Sequence, residues 1–226
     1  MNQIKFGKAL LSWSGGKDSS LSYYVGGQSG DYEISGLLTT VTEDYQRISM
    51  HGVRRDLLQR QARAMKLPLY EVMIPKQASN EIYEEKTRQM LLELRDREKI
   101  SKVVFGDLFL QDIRVYREKF LVKLGLGCEF PVWGRNTKEL AYYFIEKGFK
   151  AIICCVDPRK IGSEFCGREY DSKFLSELPQ KVDPCGENGE FHTFVYDGPI
   201  FQSKINVKVG VIVERDGFYF ADILPK

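Results

Sequence analysis

In the first half of the chain, short apolar runs alternate with longer amphipathic segments. The longer segments predict helices, because a half-buried helix repeats its apolar positions every three or four residues, as Leu57, Leu58 and Ala62 do. Strands are predicted over residues 8–13, 34–41, 69–74 and 103–106, and helices over residues 18–26, 51–66, 79–99 and 112–124. Gly26-Gly27 is expected to end the first helix. This alternation predicts an α/β fold, a parallel sheet with helices on both faces.

The second half of the chain has shorter and less regular segments. Strands are predicted over residues 129–133, 151–156, 206–213 and 218–223, helices over 137–147 and 171–178, and a loop over 181–193. The Arg-Asp-Gly sequence at residues 215–217 is typical of a hairpin turn between the last two strands. We therefore expect a second, smaller α/β domain, with the two domains spanning residues 1–127 and 128–226.

Composition and charge narrow the classes of function. The chain has 33 basic and 31 acidic residues and a formal net charge of +2, which gives no global case for a nucleic-acid or membrane partner. No apolar stretch is long enough to span a bilayer, and the first residues do not read as a secretory signal. The five cysteines are odd in number and form no C-x-x-C pair, which favours reduced thiols in the cytoplasm over disulfides or a zinc site.

The most informative segment lies between the first predicted strand and the first predicted helix. Residues 11–20 read Leu-Ser-Trp-Ser-Gly-Gly-Lys-Asp-Ser-Ser. Adjacent glycines let backbone amides approach an anion, serine hydroxyls add donors, and the start of the helix favours negative charge. In a parallel α/β sheet, ligands bind outside the carboxyl ends of the strands, where this loop lies. The segment therefore predicts a phosphate site of a bound nucleotide.

This loop differs from the Walker-type phosphate loop, which needs four residues between its glycine and the Gly-Lys pair. It also carries Asp18, an acid that would repel phosphate unless it serves Mg²⁺ or orders backbone amides. A glycine-rich turn with capping Asp and Ser side chains, and no ligand, is the alternative interpretation.

A second polar constellation lies near the end of the chain. Residues 183–193 read Asp-Pro-Cys-Gly-Glu-Asn-Gly-Glu-Phe-His-Thr and carry several acids, an amide and one of the two histidines. Such a cluster can hold an acceptor amine, ammonia or Mg²⁺. Taken alone, it can equally be a glycine-rich surface loop with solvated acids.

Together the two segments resemble the diphthine–ammonia ligase family of PP-loop ATP pyrophosphatases. Ser-Gly-Gly-Lys-Asp-Ser at residues 14–19 is shared across that superfamily, and Gly-Glu-Asn-Gly-Glu-Phe-His-Thr at 186–193 is specific to the family. Further matching pieces are His51-Gly52-Val53, Gly106-Asp107-Leu108, the Pro-Val-Trp-Gly-Arg run at 131–135, and Asp-Gly-Pro at 197–199. The resemblance spans nearly the whole chain.

The resemblance implies a HUP-type, Rossmann-like nucleotide domain facing a C-terminal domain across a cleft. It also implies the AMP-forming amidation of diphthine, a modified histidine on elongation factor 2. The acceptor carboxylate is activated by ATP as an acyl-adenylate, and ammonia then displaces AMP. The implied substrates are ATP, ammonia and that protein acceptor, and Mg²⁺ is the implied cofactor.

The resemblance also implies roles for particular residues. The residues expected to bind the nucleotide are Ser12, Ser14, Gly15, Gly16, Lys17, Asp18, Ser19, Leu38, Thr39, Gly106 and Asp107. Asp18 is the implied magnesium ligand. The residues expected to bind acceptor or ammonia are His51, Arg135, Glu187, Asn188, Gly189, Glu190, His192 and Thr193. The chemistry is assigned to Lys17, Asp18, Glu187, Glu190 and His192.

Several alternatives stay open at this point. His51 can serve as a cap or in packing, Trp133 can be core, and Arg114 or Arg117 can face solvent or reach a phosphate. The protein can adenylate a different acceptor, including a small molecule, or bind nucleotide without catalysis. A homodimer through the C-terminal hairpin is a further expectation. Thiolation of tRNA is disfavoured because the cysteine spacing offers no redox pair.

Overall fold

The computed structural model describes residues 7–48 and 52–226. The described strands are β1 Gly7–Ser12, β2 Tyr32–Thr42, β3 Arg47–Ile48, β4 Leu69–Ile74, β5 Ile100–Val104, β6 Gly127–Glu129, β7 Lys150–Val156, β8 Phe191–Asp197, β9 Val207–Arg215 and β10 Phe218–Pro225. The described α-helices are α1 Lys17–Ser29, α2 Arg55–Met65, α3 Asn80–Glu98, α4 Gln111–Val122, α5 Thr137–Glu146 and α6 Ser172–Glu177.

The first sheet is built from five parallel strands in the order β4–β2–β1–β5–β6. In the register, Leu11 of β1 lies between Leu37 of β2 and Val104 of β5. The short strand β3 pairs antiparallel with the end of β2. The direction of winding reverses between β1 and β5, and ligands of such sheets bind in the crevice at that reversal. The predicted α/β fold is confirmed.

The two faces of this sheet have separate cores, as the alternation along β1 requires. Leu11 packs with apolar residues of α1 and α2, whereas Leu10 packs with those of α3 and α4. The first core continues without a break into the C-terminal half, where it includes Phe144 and Ile153. The two halves are therefore joined through a common apolar interior.

The second sheet is antiparallel, in the order β8–β7–β10–β9. The predicted hairpin is present: β9 and β10 are joined at Asp216 and Gly217, whose φ angles are 54° and 77°. A smaller C-terminal α/β unit, as expected, follows the nucleotide-type sheet. The expected boundary near residue 127 coincides with the start of β6, which still pairs with β5, and it stays a prediction.

Three sequence-based predictions of local structure were wrong. The first helix does not end at Gly26-Gly27 but continues to Ser29 and ends at Gly30, whose φ is 72°. Tertiary packing overrides the weak helix propensity of glycine here, because a Cβ on Gly26 would lie 2.5 Å from the Tyr32 hydroxyl.

The other two errors concern strands. The predicted strand over 129–133 is replaced by β6 and a turn, in which the Trp133 amide bonds to the Phe130 carbonyl at 3.1 Å. A loop was predicted over 181–193, but the strand β8 already begins at Phe191. Most of β8 is buried, so its apolar and polar residues do not alternate in the way that identifies a half-buried strand.

None of the helices in the described ranges has the length and apolar character that a membrane crossing requires.

Candidate active site

The predicted phosphate loop joins the carboxyl end of β1 to the start of α1. Gly15 adopts a φ of 76°, and Gly16 is the extended N-cap residue of α1 without a side-chain cap. The Ser14 and Ser19 hydroxyls lie 3.2 Å apart, and the Gly16 amide donates to Ser14 Oγ at 3.3 Å. The loop therefore presents hydroxyls and a helix N-terminus at the sheet reversal, an arrangement that suits an anion.

The loop after β5 crosses directly over this turn. A Cβ added to Gly106 would lie 2.9 Å from the backbone of Asp18 and Ser19, so a larger residue cannot occupy this position without moving one of the two loops. The contact places Gly106 and Asp107 beside the phosphate loop. Asp107 pairs with Arg117 of α4 at 2.8 Å, so one of the two arginines considered from sequence does reach the site.

Gln61 of α2, which sequence reasoning missed, anchors the back of the loop. Its fully buried amide nitrogen donates to the carbonyls of Gly15 at 3.0 Å and Val195 at 2.7 Å, and its oxygen accepts from the Trp13 indole at 2.9 Å. The sequence did contain an indication of this role, because Gln61 is a polar residue on the apolar face of α2, between Leu58 and Ala62. The Val195 amide also donates to the Gly15 carbonyl at 2.9 Å, which ties β8 to the loop.

Lys17 is buried, and its ammonium donates to both carboxylate oxygens of Asp18 at 2.8 Å. Burial favours the neutral amine, but the nearby Asp18, Cys185 and Glu187 outweigh it and raise the pKa of Lys17. The lysine therefore carries its charge inside the site. Asp18 is 30% exposed and opens into the cleft.

A polar cavity of about 250 Å³ lies in front of the loop. Its walls include Ser14, Lys17, Asp18, Ser19, Gly106, Asp107, Glu187 and Thr193. Thr193 accepts a hydrogen bond from the Lys17 amide at 3.0 Å, so β8 closes the cavity from the C-terminal half. The two segments singled out from sequence, 176 positions apart at this contact, therefore share one cavity.

Glu187 is a carboxylate of this cavity with a strongly perturbed pKa. Burial raises its pKa to about 7, although the Leu108 amide, which donates to Glu187 Oε1 at 2.7 Å, opposes the shift. A carboxyl group with a pKa near neutrality is suited to general acid–base work.

An apolar cavity of about 270 Å³ adjoins the polar one. It lies between α3 and α4, and its walls include Leu38, Thr39, Val72, Tyr83, Thr87, Leu91, Phe105 and Phe120. Leu38 and Thr39 are at the strand edge expected to hold adenine. Thr87 is 7% exposed, and no described group hydrogen-bonds to its hydroxyl. The sequence had placed α3 in the fold but gave no indication that Thr87 faces a cavity.

A third cavity of about 250 Å³, which we call the hairpin cavity, lies between the β2–β3 turn and the β9–β10 hairpin. Its walls include Tyr45, Arg47, Ile48, Arg215, Phe218 and Phe220. His192 lines all three cavities, so it marks the point where they meet.

Other expected site residues lie elsewhere. Glu190 is 4% exposed, and its Oε1 accepts from the Asp183 amide at 3.1 Å and from the Asn188 side chain at 3.2 Å. These bonds hold the 183–190 loop in shape, and Glu190 lines none of the three cavities. Asn188 is exposed, and Gly189 and Arg135 line none of the three cavities. His51 lies outside the described residues.

The side chains around the polar cavity can be compared with those that Mg²⁺ requires as ligands. Among residues 7–48 and 52–226, no group of three His, Cys, Asp or Glu side chains is arranged to hold a metal ion. Mg²⁺ is commonly bound through one or two carboxylates together with substrate phosphates, and Asp18 at the edge of the polar cavity fits that pattern. Both Asp18 oxygens accept hydrogen bonds from Lys17, and the side chain is 30% exposed.

The sheet order, the glycine-rich loop and the paired cavities define an α/β nucleotide-binding protein with a PP-loop-type phosphate site. The chain belongs to the diphthamide synthase family: residues 7–128 match the model of the diphthamide synthase N-terminal domain, and residues 136–222 match that of the C-terminal domain.

Curated relatives agree with this assignment. The diphthine–ammonia ligase of Mus musculus is 31% identical over 196 residues, and that of Rattus norvegicus is 30% identical over 195 residues. The diphthine–ammonia ligase of Bos taurus is 29% identical over 197 residues. In each case, the match covers 79% of this chain and 70% of the relative.

Proposed function

We propose that this protein is an AMP-forming ligase that amidates the carboxylate of diphthine with ammonia at the expense of ATP, a step of diphthamide biosynthesis. Family membership supports the ligase class. The observation that carries the proposal is the contact between the Lys17 amide and Thr193, which brings the phosphate loop and the family-specific segment into one cavity.

The nucleotide fits the two adjoining cavities. The base lies in the apolar cavity against Leu38 and Thr39, and the triphosphate extends into the polar cavity. Ser14, Ser19 and the N-terminus of α1 border the polar cavity on the side of its oxygens. In this pose, the α-phosphate lies where the cavities meet, beside His192.

The first chemical step is attack of an acceptor carboxylate oxygen on the α-phosphorus. The bond from the α-phosphorus to the bridging oxygen breaks, and pyrophosphate leaves with the electron pair. Lys17 stabilises the charge that develops on the departing group, because its buried ammonium is held close to that position by Asp18. When bound, Mg²⁺ would supply further neutralisation of phosphate charge, and Asp18 is the residue placed to hold it.

The second step is attack of ammonia on the carbonyl carbon of the acyl-adenylate. The carbon–nitrogen bond forms, AMP leaves, and the nitrogen loses a proton. Glu187, with a pKa of about 7, can accept that proton near neutral pH. Thr193 and His192 border the same space, whereas Glu190 acts by keeping the 183–190 loop in its shape.

The test is product analysis of radiolabelled ATP with Mg²⁺ and ammonium, with and without diphthine-bearing elongation factor 2. AMP and pyrophosphate that appear only with this acceptor would support the proposal. AMP formation that does not depend on this acceptor would still support cleavage between the α and β phosphates, but it would mean that the reaction uses a different carboxylate. ADP as the product would contradict the phosphate-loop assignment itself.

A further inference from the structure

A further cavity of about 480 Å³ lies where α2 of the N-terminal half meets residues 202–206 of the C-terminal half. It shares no wall residue with the polar, apolar or hairpin cavity, so the nucleotide does not reach it in the pose described above. We call it the basic groove, after the four cationic side chains in its walls: Arg60, Arg63, Lys204 and Lys226.

The charge of the basic groove is uncompensated. No Asp or Glu side chain lines it, and none of its four cations forms an ion pair with a described residue. The Lys204 ammonium instead lies 5.1 Å from the ring centre of Tyr196, which is a neutral partner. The whole chain has a formal net charge of only +2, so four like charges around one cavity are a strong local concentration of positive charge.

Exposed arginines on α3 have a different environment. Arg88 pairs with Glu85 at 2.7 Å, and Arg97 pairs with Glu93 one turn away. Such exposed pairs add little stability, but they balance the charge where it occurs. The lack of acids around the basic groove is therefore a property of this site and not of the surface as a whole.

Backbone contacts hold the two walls of the basic groove in place. The Gln202 amide donates to the Ala64 carbonyl at 2.8 Å, which ties the 202–206 segment to α2. The Lys226 amide donates to the Asn206 carbonyl at 2.9 Å, and Ile205 is 4% exposed and packs in the core. The groove is therefore formed without a ligand, and a ligand does not have to order its walls on binding.

The side chains of the basic groove suit phosphate oxygens. Arg60 and Arg63 are three positions apart on α2 and lie on the same face, where their like charges repel until an anion enters. The guanidinium fork matches the geometry of phosphate, and the side chains of Ser203 and Asn206 supply neutral donors. Four cations around a cavity of this size match a ligand with several anionic groups better than a single small anion.

We propose that the basic groove is a binding site for a chain of phosphate groups, carried either by a free oligophosphate or by the backbone of RNA. The arginines of α2 hold the chain from one wall, and Lys204 and Lys226 hold it from the other. The site is separate from the nucleotide cavities, and the proposal does not depend on the proposed function.

The experiment compares wild type with the double variant Arg63→Gln/Lys204→Gln. The matched control is Arg88→Gln/Arg97→Gln, which removes the same charge from the exposed face of α3. Binding is measured by calorimetry with three probes: inorganic tripolyphosphate, a short oligouridylate, and a glutamate peptide with as many charges as the oligouridylate. The nucleotide site is first filled with α,β-methylene-ATP, so that binding at the phosphate loop is not counted. Thermal melting checks that each variant is folded.

We expect the groove variant to bind the phosphate probes about tenfold more weakly than wild type, because each of two exposed charged contacts contributes a factor of about three. The control should bind them as wild type does. Tighter binding of tripolyphosphate would support a free oligophosphate as the natural ligand, and tighter binding of the oligouridylate would support an RNA backbone.

Three results would overturn the proposal. The first is that neither phosphate probe binds more weakly to the groove variant than to wild type. The second is an equal loss of binding in the α3 control, which would assign the attraction to overall charge. The third is a glutamate peptide that binds wild type as tightly as the phosphate probes do, because the groove would then not select phosphate.

Discussion

The phosphate loop and the 183–193 segment face each other across one cavity, yet they are held in place differently. The turn of the phosphate loop is shaped by local bonds, since Ser19 Oγ and Ser20 Oγ both donate to the Gly16 carbonyl, at 3.0 and 2.9 Å, whereas Gln61 and Val195 anchor it from distant parts of the chain. The 183–193 segment divides into a loop that bonds to itself and a strand, β8, that bonds to the phosphate loop. Residues held by local bonds can be placed from a motif. Residues of β8 take their place only when that strand pairs with a distant one.

The two regions also differ in charge. Lys17 brings a fixed positive charge to the cavity, whereas Glu187, with a pKa of about 7, changes charge near neutrality. We therefore expect the phosphate loop to govern whether ATP is cleaved, and the facing segment to govern how the second step depends on pH. Substitutions of Lys17 and Glu187 test that division of labour.

The largest effect is expected for Lys17→Ala. Removal of one preorganised positive group at developing charge typically costs a factor of about 10² to 10³ in rate. AMP formation should fall by about that factor, measured with saturating ATP and acceptor. Lys160→Ala, an exposed lysine that contacts the Asn188 carbonyl at the outer side of the facing loop, is the control and should keep most activity. Near-wild-type turnover of Lys17→Ala would remove the phosphate-loop assignment.

Glu187→Gln is expected to have the next largest effect, a reduction of amide formation by a factor of about 10². In wild type, the ionised form of Glu187 accepts the proton, so the rate at saturating ammonium should rise as the pH passes about 7 and then level off. The glutamine side chain can still accept the hydrogen bond from the Leu108 amide, but it cannot take up a proton. The variant should therefore lose this inflection in its pH profile. An inflection that persists near pH 7 would assign the titration to another group.

Gln61→Met tests whether the loop depends on its buried anchor. The substitution leaves the Gly15 and Val195 carbonyls and the Trp13 indole with one bond fewer in a dry interior. Since each such loss costs about 1 to 3 kcal/mol, we expect the free energy of unfolding to fall by about 3 kcal/mol in urea titrations, with weaker ATP binding. Gln59→Met, on the half-buried side of the same helix, should change stability by less than about 1 kcal/mol.

Particular residues show how far sequence reasoning reaches. The Ser-Gly-Gly-Lys-Asp-Ser motif predicted the turn between β1 and α1 because this geometry is encoded within six consecutive residues. Gln61 and Thr87 were missed, because a polar residue on a helix shows its role only once the helix is packed against its partner. Glu187 and Glu190 were both expected to take part in the chemistry, because both are acids of one short loop. The folded chain shows that Glu187 lines the polar cavity, whereas Glu190 hydrogen-bonds within the loop.

The smallest effect is expected for Thr87→Val, which tests the apolar cavity rather than the loops that face each other across the polar one. The buried Thr87 hydroxyl gains no hydrogen bond from the described residues, so a base that enters the cavity can satisfy it. Loss of one such bond, about 1 kcal/mol, should raise the Kd of ATP roughly fivefold by calorimetry, with stability unchanged or slightly higher. Thr87→Ser should retain wild-type affinity. An ATP analogue that lacks the bonded group of the base should bind wild type and Thr87→Val alike, and equal ATP affinity in the two proteins would place the base elsewhere.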